Sequence, residues 1–462
     1  MLGGQTNAGA MLREGETAEV YALEPLHFEL DEAKSPLYFG PGNNLLHYKP
    51  SARVRLLHGS DMEALQQEVI TTNDGVQGFL SGIYKLQDIL PPLASDVIAS
   101  SLAIVAGIYG EESLLFTTRS IEDVIFGYEE QTVVRLLDLV TEKLCSLIPL
   151  NITSLDGVCS EALEDLLGYY GISPRVSGVI DSLLDYDTMN KVNGEWLYET
   201  APSAVLDELP LHRSSVLTGK EDFSQSNRLE TYQGYSDMTC CAMVQCPPTK
   251  RRQPWRSPVP VSATLGLKFD PRTLENHPLI INSPVKRVLR LAPVMEDRSK
   301  TSISGVQSRT YGIDHRELQN SSISGSQSKF YMDGPTGLFN MTPCSNGVLR
   351  FISKPFFLDV EGPIMDSSGA SIQSRVIIRT AQPRGTTSIQ DYDSSYTLDM
   401  AYGIALQLES RLQVNIYIQE VVLGNYTLFS NLKAAQIPVA WNEEIYKADG
   451  DTEEELRKLS SL

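Results

Sequence analysis

The spacing of apolar residues changes twice along this chain, and those changes limit the folds it can adopt. From Ala18 to about Leu57, apolar and polar residues alternate loosely, as they do in half-buried strands. From Asp61 to Ile148, apolar residues recur every third or fourth position, which is typical of helices. After about Gly171, segments rich in β-branched and aromatic residues return, with turn signals between them. The sequence therefore predicts an α+β fold, mainly antiparallel β, with a helical cluster inserted early.

The composition allows a large core and disfavours two classes of partner. The chain has 462 residues, of which 42% are hydrophobic, and a formal net charge of −20. Length alone would suggest about three domains, although a barrel with insertions can be this long as one domain. Nucleic acids and anionic membrane surfaces both require clustered Lys and Arg, so the acidic balance argues against each of them.

The two ends and the most apolar stretch do not look like membrane-targeting segments. Residues 1–17 are small and polar, lack a basic segment followed by an apolar run, and are expected to be a disordered lead. The stretch Ile89–Tyr109 contains Asp96 and two prolines. Its part without charged residues or prolines is shorter than the ~20 residues of a spanning helix. The tail, residues 446–462, is acidic. Within it, Thr452 and Glu455 predict a capping box before a short amphipathic helix.

The search for catalytic or metal-binding motifs finds none. None of the six histidines has another histidine four residues away, and HExxH, phosphate-loop, dinucleotide and G-x-S-x-G patterns are absent. Paired acids are numerous, but among 58 acidic residues they carry little information. A hydrolase with a hidden acid pair remains a minor alternative. We therefore predict no enzyme, no catalytic residue, no metal and no cofactor.

Cysteines and sequons bear on the compartment but do not determine it. Six cysteines permit three disulfides, and buried thiols with one or two bridges are equally compatible with that number. No C-x-x-C pair occurs, which disfavours a zinc ribbon or a thioredoxin-like site. Four sequons give weak support for a secreted or lumenal face, and we predict glycosylation at Asn151, Asn320, Asn340 and Asn425.

One internal repeat is present. The segment SISGVQSRTY, Ser302–Tyr311, recurs as SISGSQSKFY, Ser322–Tyr331. A single pair of copies is too few for a solenoid. Alternating polar and apolar positions around a central glycine predict two similar short strands or bulged hairpin arms.

Several segments, in order, resemble the class B scavenger receptor family. They are Leu114–Glu130, Leu217–Gly234, Gly337–Gly362, Tyr396–Ile418 and Ile437–Glu444. In the first, the matching residues are Ser120, Ile121, Glu122, Asp123, Gly127 and Tyr128, with Phe126 in place of the family's Trp. In the third and fourth, they are Cys344, Pro355, Phe357, Leu398, Asp399, Gly403 and the run Arg411-Leu412-Gln413-Val414-Asn415. The chain is thus identified by resemblance as a relative of that family over residues 18–445.

The resemblance implies a fold and a function. It implies a scavenger-receptor-like ectodomain over residues 18–445, built as an irregular, mainly antiparallel β-barrel. An apical helical bundle (residues 90–148) caps the barrel, and an internal apolar tunnel runs through it. It implies a receptor that binds or transfers fatty acid, sterol, phospholipid or lipoprotein. As an alternative, it implies a sorting or docking receptor that binds a protein partner through the apical helices. Burying an acyl chain yields about 0.8 kcal/mol per methylene, so no polar catalytic group is needed.

The resemblance also implies candidate ligand-binding residues and a location. Val105, Ile108 and Tyr109 lie in the expected apical helices, and the alternative for each is that it only packs the bundle. Members that take modified lipoproteins carry lysines just before the matched helix, whereas this chain has Gly110-Glu111-Glu112, which disfavours an anionic ligand. The family position upstream of Cys344 has no cysteine here. The family is membrane-anchored, at the plasma membrane or in endosomes and lysosomes. This part would be extracellular or lumenal, because the membrane helices are absent from the chain as given.

Overall fold

The structure is a computed structural model, and part of the chain is described in it. The described residues are 3–5, 7–14, 16, 19–23, 25–34, 37–48, 50–57, 60–87, 92–147, 174–180, 188–192, 195–199, 214–222, 225–232, 235–238, 258–282, 284–294, 300–303, 306–320, 330, 335–345, 348–360, 364–365, 371–372, 377–380, 393–423 and 426–460.

Most of the described helices lie in the first third of the chain. The helices are α1 (Ala8–Glu14), α2 (Ser60–Leu65), α3 (Asp74–Gln87), α4 (Pro92–Tyr109), α5 (Glu111–Leu115), α6 (Ile121–Phe126), α7 (Gln131–Leu147) and α8 (Gly450–Ser460). In α7 the apolar residues Val133, Leu136 and Val140 are fully buried, while Arg135 and Asp138 are exposed on the other face. This three-to-four-residue spacing is the sequence reason for the helix.

Strands are spread over the rest of the described chain. Those before residue 250 are β1 (Gly3–Gln5), β2 (Glu19–Ala22), β3 (Phe28–Lys34), β4 (Tyr38–Phe39), β5 (Leu45–Tyr48), β6 (Pro50–Leu56), β7 (Glu68–Thr72), β8 (Phe116–Ser120), β9 (Tyr128–Glu129), β10 (Arg175–Val176), β11 (Thr188–Val192), β12 (Glu195–Glu199), β13 (Ser214–Leu217) and β14 (Leu229–Thr231). Those after it are β15 (Leu279–Asn282), β16 (Arg287–Pro293), β17 (Lys300–Ile303), β18 (Val306–Ile313), β19 (Phe339–Asn340), β20 (Arg350–Ser353), β21 (Ile364–Met365), β22 (Ser371–Ile372), β23 (Ile377–Thr380), β24 (Ser395–Asp399), β25 (Ala405–Ile418), β26 (Val421–Leu423), β27 (Tyr426–Leu428) and β28 (Ala435–Lys447).

A nine-stranded sheet is the largest of the described sheets. Its path is β15-β16-β18-β24-β25-β20-β19, with β17 added on β18 and β28 on β25. The long strand β25 pairs with β28 along its whole length, while β24 and β20 share its other edge. The described strands also form two four-stranded sheets, β11-β12-β6-β3 and β14-β13-β5-β4, the three-stranded sheet β1-β2-β23 and several two-stranded ladders. Every ladder is antiparallel except β2 with β23.

Two large apolar clusters form the core, and β25 contributes to both. The first gathers α3 to α7 with the C-terminal half of β25, including Ile416 and Ile418. The second lies along the other end of the nine-stranded sheet and includes Leu412 and Leu398. The strand therefore connects the helices to the sheet through a continuous run of buried residues.

The predicted mixture of helices and antiparallel sheets is confirmed, but the predicted barrel is not what the strands form. The described strands make separate open sheets and no closed barrel, because β15 and β19 end the path of the largest sheet without pairing to each other. The apolar tunnel and the apical bundle stay predictions. Among the described residues, no helix combines the length and apolar character that crossing a bilayer requires.

Several local predictions can be compared with the structure. Ser120 and Asp123 have the spacing of a capping box with a shorter acid, which predicts the start of a helix. Ser120 does cap α6, and its hydroxyl accepts a hydrogen bond from the Asp123 N–H at 3.1 Å. The helix predicted from Asp61 onward ends at Leu65, because the β-branched run of β7 pairs with β8 instead. Residues 3–5 and 8–14 of the expected disordered lead form β1 and α1, and Met11 is fully buried.

The tail and the repeat also differ in detail from the sequence expectation. The C-terminal helix α8 begins at Gly450. Asp449 rather than Thr452 caps it, because the Oδ1 of Asp449 accepts a hydrogen bond from the Thr452 N–H at 2.7 Å. The first copy of the repeat forms the hairpin of β17 and β18. Of the second copy only Phe330 belongs to the described residues.

Candidate functional site

Helix α4 buries one apolar face and exposes another. Ile98, Leu102 and Val105 point into the first core cluster, and the helix packs against α7. Ile104 and Ile108, four residues apart, lie on a different side of the helix and are 45% and 68% exposed. Side chains at this spacing are neighbours on a helix surface. We call Ile104 and Ile108 together the exposed isoleucine pair.

The three predicted ligand-binding residues have different environments. Val105 is 3% exposed and packs in the core, whereas Ile108 presents its side chain to solvent. Tyr109 is half-buried; the Arg135 guanidinium donates a hydrogen bond to its hydroxyl and lies 5.6 Å from its ring centroid. Ile104 was missed by sequence reasoning, although its spacing from Ile108 was a signal that could have found it. Ligand binding by any of these residues stays a prediction.

The acid pair that follows α4 divides into one structural and one exposed carboxylate. Gly110 has φ +81°, a conformation that favours glycine, and starts the short helix α5. The Glu111 carboxylate accepts a hydrogen bond from the Phe429 N–H at 3.0 Å, which ties α5 to the end of β27. Phe429 is fully buried with φ +61°, so this bond holds a strained residue in place. Glu112 is exposed.

The chain segment that carries the exposed isoleucine pair is acidic. Between Asp74 and Lys143 the sequence has eleven acidic and four basic residues. The C-terminal end of α4 adds the negative end of a helix dipole close to Glu112. Because like charges repel, an excess of acids in this segment bears on the charge of any ligand expected here.

A buried carboxylate supports the base of these helices. Glu130 is 2% exposed, and its Oε2 is 2.6 Å from Nη2 of Arg119 on β8. Its Oε1 accepts from the Thr132 N–H at 3.0 Å, which caps the start of α7. A Cβ on Gly75 would lie 2.7 Å from the Glu130 Cβ, so α3 can approach this carboxylate only because residue 75 is glycine. Glu130 thus holds three elements together.

A second carboxylate joins the helices to the large sheet. Asp74, in the first turn of α3, lies 3.7 Å from Nη2 of Arg350 on β20 and accepts from the Thr72 hydroxyl at 2.7 Å. Burial raises the pKa of the Asp74 carboxyl above its usual value, and Arg350 only partly opposes this effect. The ion pair therefore connects the two core clusters at an electrostatic cost.

The Phe126-Gly127-Tyr128 segment of the family-like helix has a structural explanation. Gly127 has φ +87°, and a Cβ there would lie 2.5 Å from the Val176 carbonyl oxygen. Phe126 packs edge-on against Phe28, with ring centroids 6.0 Å apart. The Arg119 guanidinium lies 4.5 Å from the Tyr128 ring centroid, and burial raises the pKa of the Tyr128 hydroxyl.

The Gln413-Val414-Asn415 motif supports a strained turn. Phe356, Phe357 and Asp359 all have φ between 56° and 60°, which bulky residues rarely adopt. Two hydrogen bonds use the side chain of Gln413. Its Oε1 accepts from the Phe356 N–H at 2.8 Å, and its Nε2 donates to Asn415 Oδ1 at 2.7 Å. Both side chains are almost fully buried. Gln413 thus satisfies one backbone N–H of the turn, and Asn415, whose amide donates to the Ser353 hydroxyl at 3.0 Å, fixes the position of Gln413.

Lys354 closes the same turn from the other side. Its ammonium lies 2.6 Å from the Asp359 carboxylate and 2.8 Å from that of Asp393. Asp393 immediately precedes the buried Ser394 and β24, so Lys354 brings together two points that are far apart in sequence. We call Lys354, Asp359 and Asp393 the lysine clamp.

The predicted glycosylation sites are only partly described. Asn320 and Asn340 are half-buried, and Asn340 Oδ1 accepts from the Thr342 N–H at 3.0 Å. Asn151 and Asn425 lie outside the described residues. Modification at any of the four stays a prediction. Within the described ranges, no group of three His, Cys, Asp or Glu could hold a metal ion.

Most of the chain matches a known protein family. A family model described as the CD36 family matches residues 5–369. The match includes α1 to α7, the exposed isoleucine pair and the strained turn, and the strands from β24 onward and α8 follow it. No curated protein matches the chain. Because the family model spans more than half of the chain, the protein belongs to the CD36 family, the class B scavenger receptors.

Proposed function

We propose that this chain is a scavenger-receptor ectodomain that binds lipid and carries fatty acid, sterol or phospholipid through an apolar tunnel. Membership of the CD36 family supports a receptor role, since members of this family are receptors that generally bind lipids and lipoproteins. The observation that carries the proposal is the exposed isoleucine pair on α4, where Ile108 is 68% exposed. Covering one such side chain with an apolar ligand would yield about 2 kcal/mol.

The charge of this surface limits the classes of lipid that we expect to bind. The excess of acids around α4 and the exposed Glu112 favour an uncharged sterol or a zwitterionic phospholipid over an anionic lipoprotein. A fatty acid would approach more slowly here at low ionic strength, because its carboxylate is repelled over about one Debye length.

Lipid binding can be tested with the purified chain by native mass spectrometry and by lipid extraction. We expect co-purified or added sterol and phospholipid to bind, and Ile108→Glu to weaken the uptake of added lipid about tenfold. Leu37→Glu is the matched control, because Leu37 is 59% exposed and immediately precedes β4, a strand of the β14-β13-β5-β4 sheet. A protein that remains empty in the presence of every added lipid would contradict the proposal.

A second candidate function is docking of a protein partner through the same helices. The observation that favours it is the pair of contacts between Tyr109, the neighbour of Ile108, and Arg135 of α7. The Arg135 guanidinium donates a hydrogen bond to the Tyr109 hydroxyl and lies near its ring, which limits the motion of this side chain. Pre-organised apolar residues at the centre of a surface are typical of binding hot spots. A pull-down that compares the wild-type chain with Ile108→Glu tests this function, and identical partner lists for the two would exclude it.

We also propose an extracellular or lumenal location, at the plasma membrane or in endosomes and lysosomes. Two features support it: Cys145 and Cys344 each belong to a disulfide, and sequons occur at Asn320 and Asn340. Disulfides persist in oxidising compartments. Expression in the secretory pathway should therefore yield a protein whose mass decreases after treatment with an N-glycosidase, and an unchanged mass would remove the glycosylation proposal.

A further inference from the structure

The C-terminal half of β28 is an open sheet edge. Among the described strands, β28 pairs only with β25. All five residues from Glu443 to Lys447 are exposed, and Ile445 is 53% exposed. An exposed edge strand with free backbone groups can pair with a further strand.

The register shows which backbone groups face away from the sheet. The Ala448 N–H donates to the Leu406 carbonyl at 2.9 Å, so this residue pair is a hydrogen-bonded one. Hydrogen-bonded and non-hydrogen-bonded pairs alternate along an antiparallel ladder. The backbone groups of Glu443, Ile445 and Lys447 therefore point outward, away from β25.

We propose that the outward edge of β28 pairs antiparallel with the same edge of a second copy of this chain, with the two-fold axis at Ile445. This arrangement places Ile445 opposite its own counterpart and Glu443 opposite Lys447 twice. The three outward residues are then the ones that exchange backbone hydrogen bonds. Opposite charges that face each other across two strands stabilise their pairing.

Neighbouring registers are worse for the same reason. A two-fold axis at Glu443 or Glu444 would place two glutamates opposite each other, and an axis at Lys447 would do the same with two lysines. An axis at Tyr446 would place Lys447 opposite Ile445 and so lose both ion pairs. Like charges directly opposite each other destabilise a strand pair. The sequence Glu443 to Lys447 is thus self-complementary in one register, as a two-fold interface requires.

The existing contacts leave Glu443 able to make the new pair. Arg411 Nε donates to Glu443 Oε1 at 2.6 Å, and the other contact of Arg411 with this carboxylate uses the same oxygen. Oε2 can therefore meet Lys447 of a second copy. The guanidinium also fixes the carboxylate beside the edge, which reduces the entropy lost on pairing.

Sedimentation equilibrium of the full chain at moderate ionic strength tests the pairing, since salt screens the repulsion between two copies with a net charge of −20 each. We expect a monomer–dimer equilibrium in the micromolar range. Ile445→Pro should raise the dissociation constant more than about a hundredfold, because it removes an outward N–H and leaves the bonds to β25 intact.

Charge variants provide an independent test that does not depend on proline. Lys447→Glu should weaken the dimer about tenfold, because both attractive pairs become repulsive. Lys433→Glu is the matched control, with the same change in net charge at an exposed position outside the edge. Circular dichroism verifies that each variant is folded. A wild-type chain that stays monomeric, or a dimer that neither Ile445→Pro nor Lys447→Glu weakens, overturns the proposal.

Discussion

Glu130 shows how a single buried carboxylate can organise several elements. It pairs with Arg119, caps α7 and lies directly against Gly75 of α3. Because its two oxygens bind different partners, the neutral amide of glutamine can replace only part of this arrangement. A carboxylate of this kind contributes mainly by leaving no buried charge unpaired.

Glu130→Gln should therefore destabilise the protein by about 2 kcal/mol, since Arg119 would keep a half-buried charge without its counter-charge. Urea denaturation followed by circular dichroism measures the change. Glu129→Gln is the control, because Glu129 is the exposed neighbour, and we expect less than about 0.5 kcal/mol there. Equal effects at the two positions would contradict the role given to Glu130.

Asp74 should make stability depend on pH in a defined direction. Its pKa is raised in the folded state above the ordinary value of 3.8, so the folded protein takes up this proton more readily than the unfolded chain. Stability therefore increases, relative to an uncharged residue at this position, as pH falls through the raised pKa, and the gain is lost as pH rises above it.

The comparison of wild type with Asp74→Asn isolates this effect. Between neutral pH and about pH 4, the wild type should gain stability relative to Asp74→Asn, as measured by urea denaturation at each pH. Glu112→Gln removes one exposed carboxylate and serves as the control, for which no such gain is expected. A difference between wild type and Asp74→Asn that stays constant over this range would refute the burial of a charged Asp74.

At the scale of elements, two glycines with opposite surroundings allow a matched test. Gly127 lies in the turn after α6 with φ +87° and the Val176 carbonyl in contact, whereas nothing lies within 4 Å of a Cβ on Gly107 of α4. Gly127→Ala should destabilise the protein by about 2 kcal/mol or more. Gly107→Ala should stabilise it by about 0.5 to 1 kcal/mol, because alanine favours helix. Thermal unfolding of both variants measures the two changes in stability, which should have opposite signs.

The strained turn at Phe356 depends on β25 in a similar way. Gln413→Leu keeps the volume but removes the acceptor for the Phe356 N–H and the donor to Asn415. We expect a loss of about 2 kcal/mol, because a buried N–H and a buried carbonyl lose their partners. Hydrogen exchange at Phe356 should rise in this variant, and unchanged protection there would show that the turn is held by other contacts.

At the scale of the whole molecule, the sequence was most informative where the spacing of apolar residues was regular. Helices α4 and α7 lie where the three-to-four-residue period predicted them, and the strand-rich last third contains β24, β25 and β28. The cap at Ser120 followed from local chemistry, which needs only residues close in sequence. These features depend on neighbours that the sequence displays directly.

Features that join distant residues could not be read in this way. Arg350 and Asp74 are far apart along the chain, and neither has a pattern that marks its partner. Likewise, the sequence pattern of antiparallel strands does not show whether their sheet closes into a barrel. In the nine-stranded sheet, β28 occupies one edge of β25, and β15 and β19 are the two end strands of the described order. The exposed isoleucine pair was half predicted, because Ile108 was identified from the resemblance but the face that it shares with Ile104 requires the packing of α4.

The lysine clamp has a practical consequence for the stretch of chain between its two carboxylates. Asp359 and Asp393 meet at one ammonium, so the distance between the two ends of this stretch is fixed whatever lies between them. The entropy of closing a loop rises only slowly with its length. Relatives should therefore differ in the length of the parts of this stretch outside β21, β22 and β23 without displacing β20 or β24, and an epitope or a fluorescent reporter inserted outside those strands should leave the remainder of the protein in its native form.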